Sequence, residues 1–310
     1  MNPPLSRRTL LGSAAATAAA LLLPAPLAAW SRRAPSPGPA DPDRARLAAW
    51  TAALRAAGPG RLEAPLGREA GRVGELAVGT PYEPYTLEAY LRAGGSAAGA
   101  EPLTLSLTRF DCATLVESCL AVARVADAED SASWERFGRE VERMRYRDGE
   151  RRGYASRLHY FSEWIGDGER RGLLRDLGAE LGGAEDARPL RFMTGHRARY
   201  PALADEAVFR EVEAMERRLD GRPRRVVPTK RIPEVVGRIE TGDVLAFATE
   251  IPGLDVSHTA FAYRGADEVL RVLHAPLSGG AVEITRATLP EYVAAIRRAT
   301  GILVARPLRG

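Results

Sequence analysis

The chain carries two cysteines, Cys112 and Cys119, and four histidines, His159, His196, His258 and His274. These are the side chains best able to act as nucleophile or general base near neutral pH. Cys112 follows Asp111 near the head of the run Phe110–Ala123, whose only charges are Asp111 and Glu117. The run reads as a helix that is apolar nearly all round and therefore buried. Asp111 is its expected N-cap, with Thr108 as capping partner. Cys112 then stands in the first turn, where free N–H groups and the positive end of the helix dipole favour a thiolate. Cys119 lies on the same face two turns deeper. At the helical rise the two Cα atoms are about 10 Å apart, too far for a disulfide. Cys119 reads as a small buried hydrophobe.

A base is available in the C-terminal third. His258 lies in the strand-like run Val256–Tyr263, and His274 closes the run Val269–His274. The link Arg264–Glu268 makes them a hairpin. Symmetry about Ala266 would oppose 258 to 274, 260 to 272 and 262 to 270, with opposed Cβ atoms roughly 5 Å apart on one face. A one-residue slip would send the two rings to opposite faces. A cysteine at a helix start beside a strand histidine makes a thiolate–imidazolium pair. His274 is the expected third group, fixing the tautomer of His258. The backbone N–H of Cys112 is a candidate oxyanion donor. The chemistry is acyl transfer to water: Cys112 attacks an amide carbonyl, His258 protonates the leaving amine, and water resolves the thioester. A zinc ion held by Cys112, His258 and His274 is the chemical rival, but it lacks a fourth ligand and close-spaced ligand pairs. No metal and no cofactor is therefore assigned.

The elements that must position these residues can be read around them. Helical spacing predicts helices over Asp43–Ala57, with Leu47, Trp50 and Leu54 inward, over Ser131–Tyr146, and over Leu203–Leu219. Leu103–Leu107 alternates as a short strand leading into the cysteine helix. Gly242-Asp243 turns into a buried strand, Val244–Thr249. Gly79–Leu87 is a rigid aromatic loop, and Arg157–Ile165 is dense in aromatics. The fold class is α+β, with the cysteine helix packed on an antiparallel sheet. Residues 61–310 form one domain, preceded by a Pro-rich linker and short helix over 31–60.

Composition limits the partners. The 310 residues are 45% hydrophobic and 27% charged, an ordinary globular balance. The net charge of +4 is nearly all arginine, Lys230 being the sole lysine, and acids and bases interleave. No nucleic-acid partner is expected. Residues 1–30 read as a secretory signal: Arg7-Arg8, an Ala/Leu-rich run to Leu23, then small residues. The paired arginines give it a twin-arginine look. Its apolar run is too short to span a bilayer, so no stable membrane insertion is expected once the signal is cut. The mature protein is expected to be periplasmic or otherwise exported. An exported chain with two unpaired cysteines suggests a thiol kept for its reactivity.

The segments Phe110–Glu117, Gly242–Phe247 and Ser257–Tyr263, with His274, resemble the NlpC-type papain-like cysteine peptidases. Gly79–Tyr82, Arg157–Ile165 and Phe192-Met193 resemble one branch of them, the N-acetylmuramoyl-L-alanine amidase-like family first catalogued as a domain of unknown function. The resemblance covers roughly residues 61–310. It implies a papain-like fold and a Cys112–His258–His274 triad. It implies peptidoglycan fragments (muropeptides) as substrate, cut between N-acetylmuramic acid, in its ordinary or anhydro form, and L-alanine of the stem peptide. Other branches cut between D-glutamate and the diamino acid, and a catalytically inactive wall-binding module could keep the same fold. Ala113 and Thr114 stand where the wider class usually has Ser and Gly. Tyr82, Tyr85, Asp111, Arg157, His159 and Trp164 are the candidate substrate-binding residues, since aromatics suit sugar faces and arginine suits carboxylates.

Overall fold

A computed structural model of the chain describes residues 41–58, 65–278 and 280–309. The signal-like segment and most of the Pro-rich linker lie outside the described residues. The first helix, α1 (Pro42–Arg55), starts at Asp41, whose side chain accepts the Asp43 N–H. It buries Leu47, Trp50 and Leu54 in the same core as the cysteine helix. The described residues from α1 onward thus belong to one compact unit with the cysteine helix.

Then come α2 (Leu66–Ala77), a one-turn α3 (Ala89–Arg92), the cysteine helix α4 (Cys112–Val125), α5 (Trp134–Arg145) and α6 (Phe161–Arg170). Strands β1 (Leu174–Asp176) and β2 (Ala184–Asp186) lead to α7 (Phe192–Gly195), α8 (Glu206–Arg218), β3 (Arg224–Pro228) and α9 (Ile232–Val235). The C-terminal third is strand-rich: β4 (Val244–Thr249), β5 (Val256–Arg264), β6 (Leu270–His274), β7 (Glu283–Ile284), helix α10 (Leu289–Ala295) and β8 (Ala299–Pro307). Among the described residues the strands form one eight-stranded sheet in the order β2-β3-β8-β4-β5-β6-β7, with β1 also on β8 and every pairing antiparallel. The protein is thus α+β, a helical layer on an antiparallel sheet.

Strand alternation divides the core in two. Val244, Ala246, Phe261, Leu273, Leu303 and Ala305 face α1, α2, α4 and α5. Leu245, Phe247, Ala260, Val272, Ile302 and Val304 face the other way, toward α9 and α10. The second layer explains why β4 and β8 are apolar on both faces. At the turn before β4, Gly242 has φ 86°, and a Cβ there would come within 1.6 Å of the Gly67 carbonyl oxygen. The turn needs glycine both for its backbone and for the approach of α2.

Two expectations change. Among the described residues Leu103–Leu107 pairs with no strand. Its backbone is held by side chains instead: the Leu107 N–H donates to Asp43 Oδ1 (2.6 Å), and Arg46 Nη1 donates to the Leu107 carbonyl (2.9 Å). Arg145 Nη1 takes the Thr104 carbonyl (2.6 Å). The β5–β6 hairpin pairs Ala262 with Val272 and Phe261 with Leu273, two residues away from the symmetric register. A shift of two preserves the faces, so His258 and His274 stay on one side of the sheet as diagonal rather than directly opposed neighbours.

Candidate active site

Asp111 caps α4 by accepting the Thr114 N–H (2.8 Å), and Thr114 Oγ1 accepts the Asp111 N–H (2.9 Å). The capping box closes on Thr114, three residues on, and not on Thr108. That gives Thr114 a local reason for standing where the wider class has glycine. Cys112 is the first residue of α4 and is partly exposed. The Thr259 backbone and side chain on β5 and the Ala113 N–H lie near its sulfur and favour the thiolate. Burial outweighs them, and with the nearby Asp111 charge it pushes the thiol up to about 11. Desolvation here outweighs the polar groups that would favour a thiolate. Cys119, fully buried among apolar side chains, is raised further by burial alone.

His258 precedes Thr259 and pairs across the strands with Phe247, on whose ring it stacks at 5.6 Å. Its Nε2 is 2.8 Å from His274 Nδ1, and its own Nδ1 is buried without a partner among the described residues. His274 Nδ1 also lies 3.3 Å from the Tyr292 hydroxyl, and its Nε2 is 3.4 Å from Glu283 Oε1. Burial brings His258 down to about 3, with the His274 charge adding to it. His274 is lowered by burial, against the opposing pull of Glu283. The histidine pair is thus neutral at rest. Tyr292 and Glu283 were missed from sequence, since they reach His274 from α10 and β7 by tertiary packing alone. Burial raises the Tyr292 phenol to about 12, and the charges of Glu283 and Cys112 add to it. The phenol bonded to His274 therefore also senses the sulfur.

The two bonded nitrogens do not share an ion. Two imidazole nitrogens on one tetrahedral zinc, each about 2.0–2.1 Å from it, would stand farther apart than 2.8 Å. Among the described residues no group of three or more His, Cys, Asp or Glu is arranged to hold a metal.

The other candidates divide. Tyr82 forms a bridge to Phe110 and is raised to about 12, first by burial and then by the charges of Cys112 and Asp111, so it stands near Cys112. Tyr85 is 60% exposed and lines a cleft of about 340 Å³ with Leu87, Glu88, Asp111, Arg157, Phe192, Arg199 and Tyr200. Arg157 reaches that cleft as a buried, committed cation, paired with Glu101 (3.2 Å) and Glu88 (3.5 Å). His159 points into its own segment: Nε2 meets the Tyr154 carbonyl at 2.8 Å and the ring packs on Tyr154. Trp164 is core, stacked on Phe161 and packed with Leu120, Arg124 and Met144 near the far end of α4. Eight residues of helix separate Leu120 from Cys112, about 12 Å along the axis. Trp164 and His159 are therefore not part of the cleft lining. Their aromatic density signals packing.

A model of the family described as N-acetylmuramoyl-L-alanine amidase-like matches residues 72–302. The chain belongs to that family. Solved structures agree. An N-acetylmuramoyl-L-alanine amidase from Bacteroides uniformis is 30% identical with a TM-score of 0.70, over 78% of this chain and 98% of that one. A Bacteroides fragilis protein provisionally called a xylanase is 33% identical with a TM-score of 0.68, over 76% of this chain and 99% of its own. A Legionella pneumophila protein at 18% identity and a TM-score of 0.58 shares the fold alone. No curated protein matches the chain. Membership in the amidase-like family accounts for a mixed helix-and-sheet fold shared with the Bacteroides structures, and none of the described helices is long and apolar enough to cross a membrane.

Proposed function

We propose that the protein is an exported cysteine amidase that hydrolyses the amide between N-acetylmuramic acid and L-alanine of muropeptides. The observation that carries the proposal is the His258 Nε2–His274 Nδ1 bond of 2.8 Å on the strand against which Cys112 packs. That bond spends one nitrogen of His258 on orientation and leaves Nδ1 without a partner among the described residues, and on this reading Nδ1 takes the thiol proton. A papain-like, NlpC-type arrangement would use the residues in this way. From the neutral resting pair, the thiol passes its proton to His258 Nδ1 as the sulfur forms its bond to the amide carbon. The amine leaves with that proton, and water, deprotonated by the same imidazole, releases the acid from the thioester. Cys112 and Ala113 contribute N–H groups from the start of α4 that have no intrahelical acceptor and suit the developing oxyanion.

The name given to the B. fragilis protein suggests glycoside hydrolysis, which calls for two available carboxyl groups. The carboxylates in the cleft are occupied. Glu88 accepts from the Tyr154 hydroxyl and Arg157, and Asp111 caps the helix. The test is incubation of the mature protein and Cys112→Ala with muropeptides, with mass analysis of the products. Release of a free stem peptide by the parent alone supports the amidase. A cut between D-glutamate and the diamino acid would move the reading to an endopeptidase of the same fold. Equal cleavage by parent and variant would remove the cysteine, and loss of activity to chelator alone would restore the zinc reading.

A further inference from the structure

The cleft beside Asp111 is built to take an anion. It holds two guanidinium groups of different standing. Arg157 is buried and paired with two carboxylates. Arg199 is exposed and, among the described residues, its guanidinium has no ion-pair or hydrogen-bond partner. The carboxylates that share the cleft do not compete for it, because Glu88 serves Arg157 and Tyr154, and Asp111 serves Thr114. The walls are aromatic, from Tyr85, Phe192 and Tyr200. They are also fixed. The Phe192 N–H donates to Tyr160 Oη (2.9 Å), Tyr160 donates to the fully buried Glu216 (2.6 Å), and Glu216 also accepts the Met193 N–H (3.1 Å). On the opposite wall Thr86 Oγ1 reaches Asp111 Oδ2 (3.4 Å), tying the Tyr85 segment to the cap of the cysteine helix.

We infer that Arg199 is a specificity-determining residue that receives a free carboxylate of the substrate's peptide, with the peptide lying against Phe192 and Tyr200. This rests on the amidase reading above. The chemistry of that substrate decides which half lies here. The lactyl carboxyl of the sugar is spent in the scissile amide, so the sugar side offers no anion. The peptide beyond L-alanine carries the carboxylates. An exposed arginine without a partner among the described residues, in an aromatic-walled cleft that Asp111 also lines, suits that half.

Two matched substrates test it: N-acetylmuramoyl-L-alanyl-D-glutamate, and the same compound with its glutamyl carboxyls as carboxamides. The parent is expected to prefer the acid by about tenfold or more in kcat/KM, carried mainly by KM. Arg199→Ala should lose that preference and treat the carboxamide as the parent does. Arg199→Lys should retain part of it, and Arg199→Glu should reverse it. Binding separates this assignment from the amidase reading. Titration of the acid peptide into Cys112→Ala and into Cys112→Ala/Arg199→Ala needs no turnover, and the double variant should bind about tenfold more weakly at low salt. Equal affinities, or an equal loss on both substrates in Arg199→Ala, would overturn the role of Arg199 whether or not the amide is cut.

Discussion

The two cysteines sit on one helix seven residues apart, and the protein treats them in opposite ways. Cys119 is sealed in the apolar core with Leu115, Leu120 and Val122, and burial alone raises its thiol. Cys112 stands at the capped start of the same helix, partly exposed, with Thr259 and the Ala113 N–H near its sulfur. Helix position alone does not make the difference, since burial raises both thiols. What separates them is the polar company at the first turn: Asp111, Thr114 and Thr259.

The largest expected effect tests that contrast directly. Cys112→Ala should cut amidase activity by at least about a thousandfold and leave the melting temperature near that of the parent. Cys119→Ala should do the reverse, keeping kcat/KM while losing about 1–2 kcal/mol of stability to the cavity. Loss of activity in both would mean that the helix as a whole, and not its first turn, carries the chemistry. Alkylation sharpens the same point. Iodoacetamide should label Cys112 in the folded protein and reach Cys119 only in denaturant.

Next in size is the histidine pair. His258→Gln should lose about a hundredfold to ten-thousandfold in kcat. His274→Gln should lose less, because it only orients. The double variant should be no worse than His258→Gln alone, since His274 has nothing left to orient. Additive losses would give His274 a separate task.

The smallest effect is on stability against pH. The His258 imidazole titrates near 3 in the folded protein against an ordinary 6.5. As the pH falls below 6.5 the unfolded chain takes up a proton that the folded one refuses, so stability is lost between 6.5 and about 3. The Cys112 thiol, ordinarily at 9.0, is held to about 11. As the pH rises past 9 the unfolded chain loses its proton first, so stability falls between 9 and about 11. Denaturant melts across pH should therefore show that Cys112→Ala flattens the alkaline decline and His258→Gln softens the acid one. An alkaline decline unchanged in Cys112→Ala would show that the thiol is not held protonated.

Much of this was legible in the sequence for a physical reason. A one-sided or fully apolar run signals burial wherever it lies, and that fixed the cysteine helix, β4, β5 and the hairpin. Pairing to the same face survived a two-residue error in register because strand alternation has period two. What could not be read came from tertiary geometry. Nothing local announces that Tyr292 would arrive from α10 onto His274, or that Asp43 and Arg46 would take the backbone of Leu107 away from any strand. Trp164 and His159 misled because an aromatic cluster looks the same whether it lines a cleft or fills a core. Arg199 sat in a segment, Phe192–Tyr200, where charge and aromatics alternate without a helical or strand period, so its standing depends on which neighbours leave it unpaired.

The clamp of α1 on Leu107 has a practical outcome. Asp43 and Arg46 grip both backbone polar groups of a residue only five positions before the sulfur. A truncation that stopped short of residue 41 would leave this brace whole, whereas one a few residues further would free the approach to the first turn of α4. The two truncated forms should differ in specific activity more than in folded content.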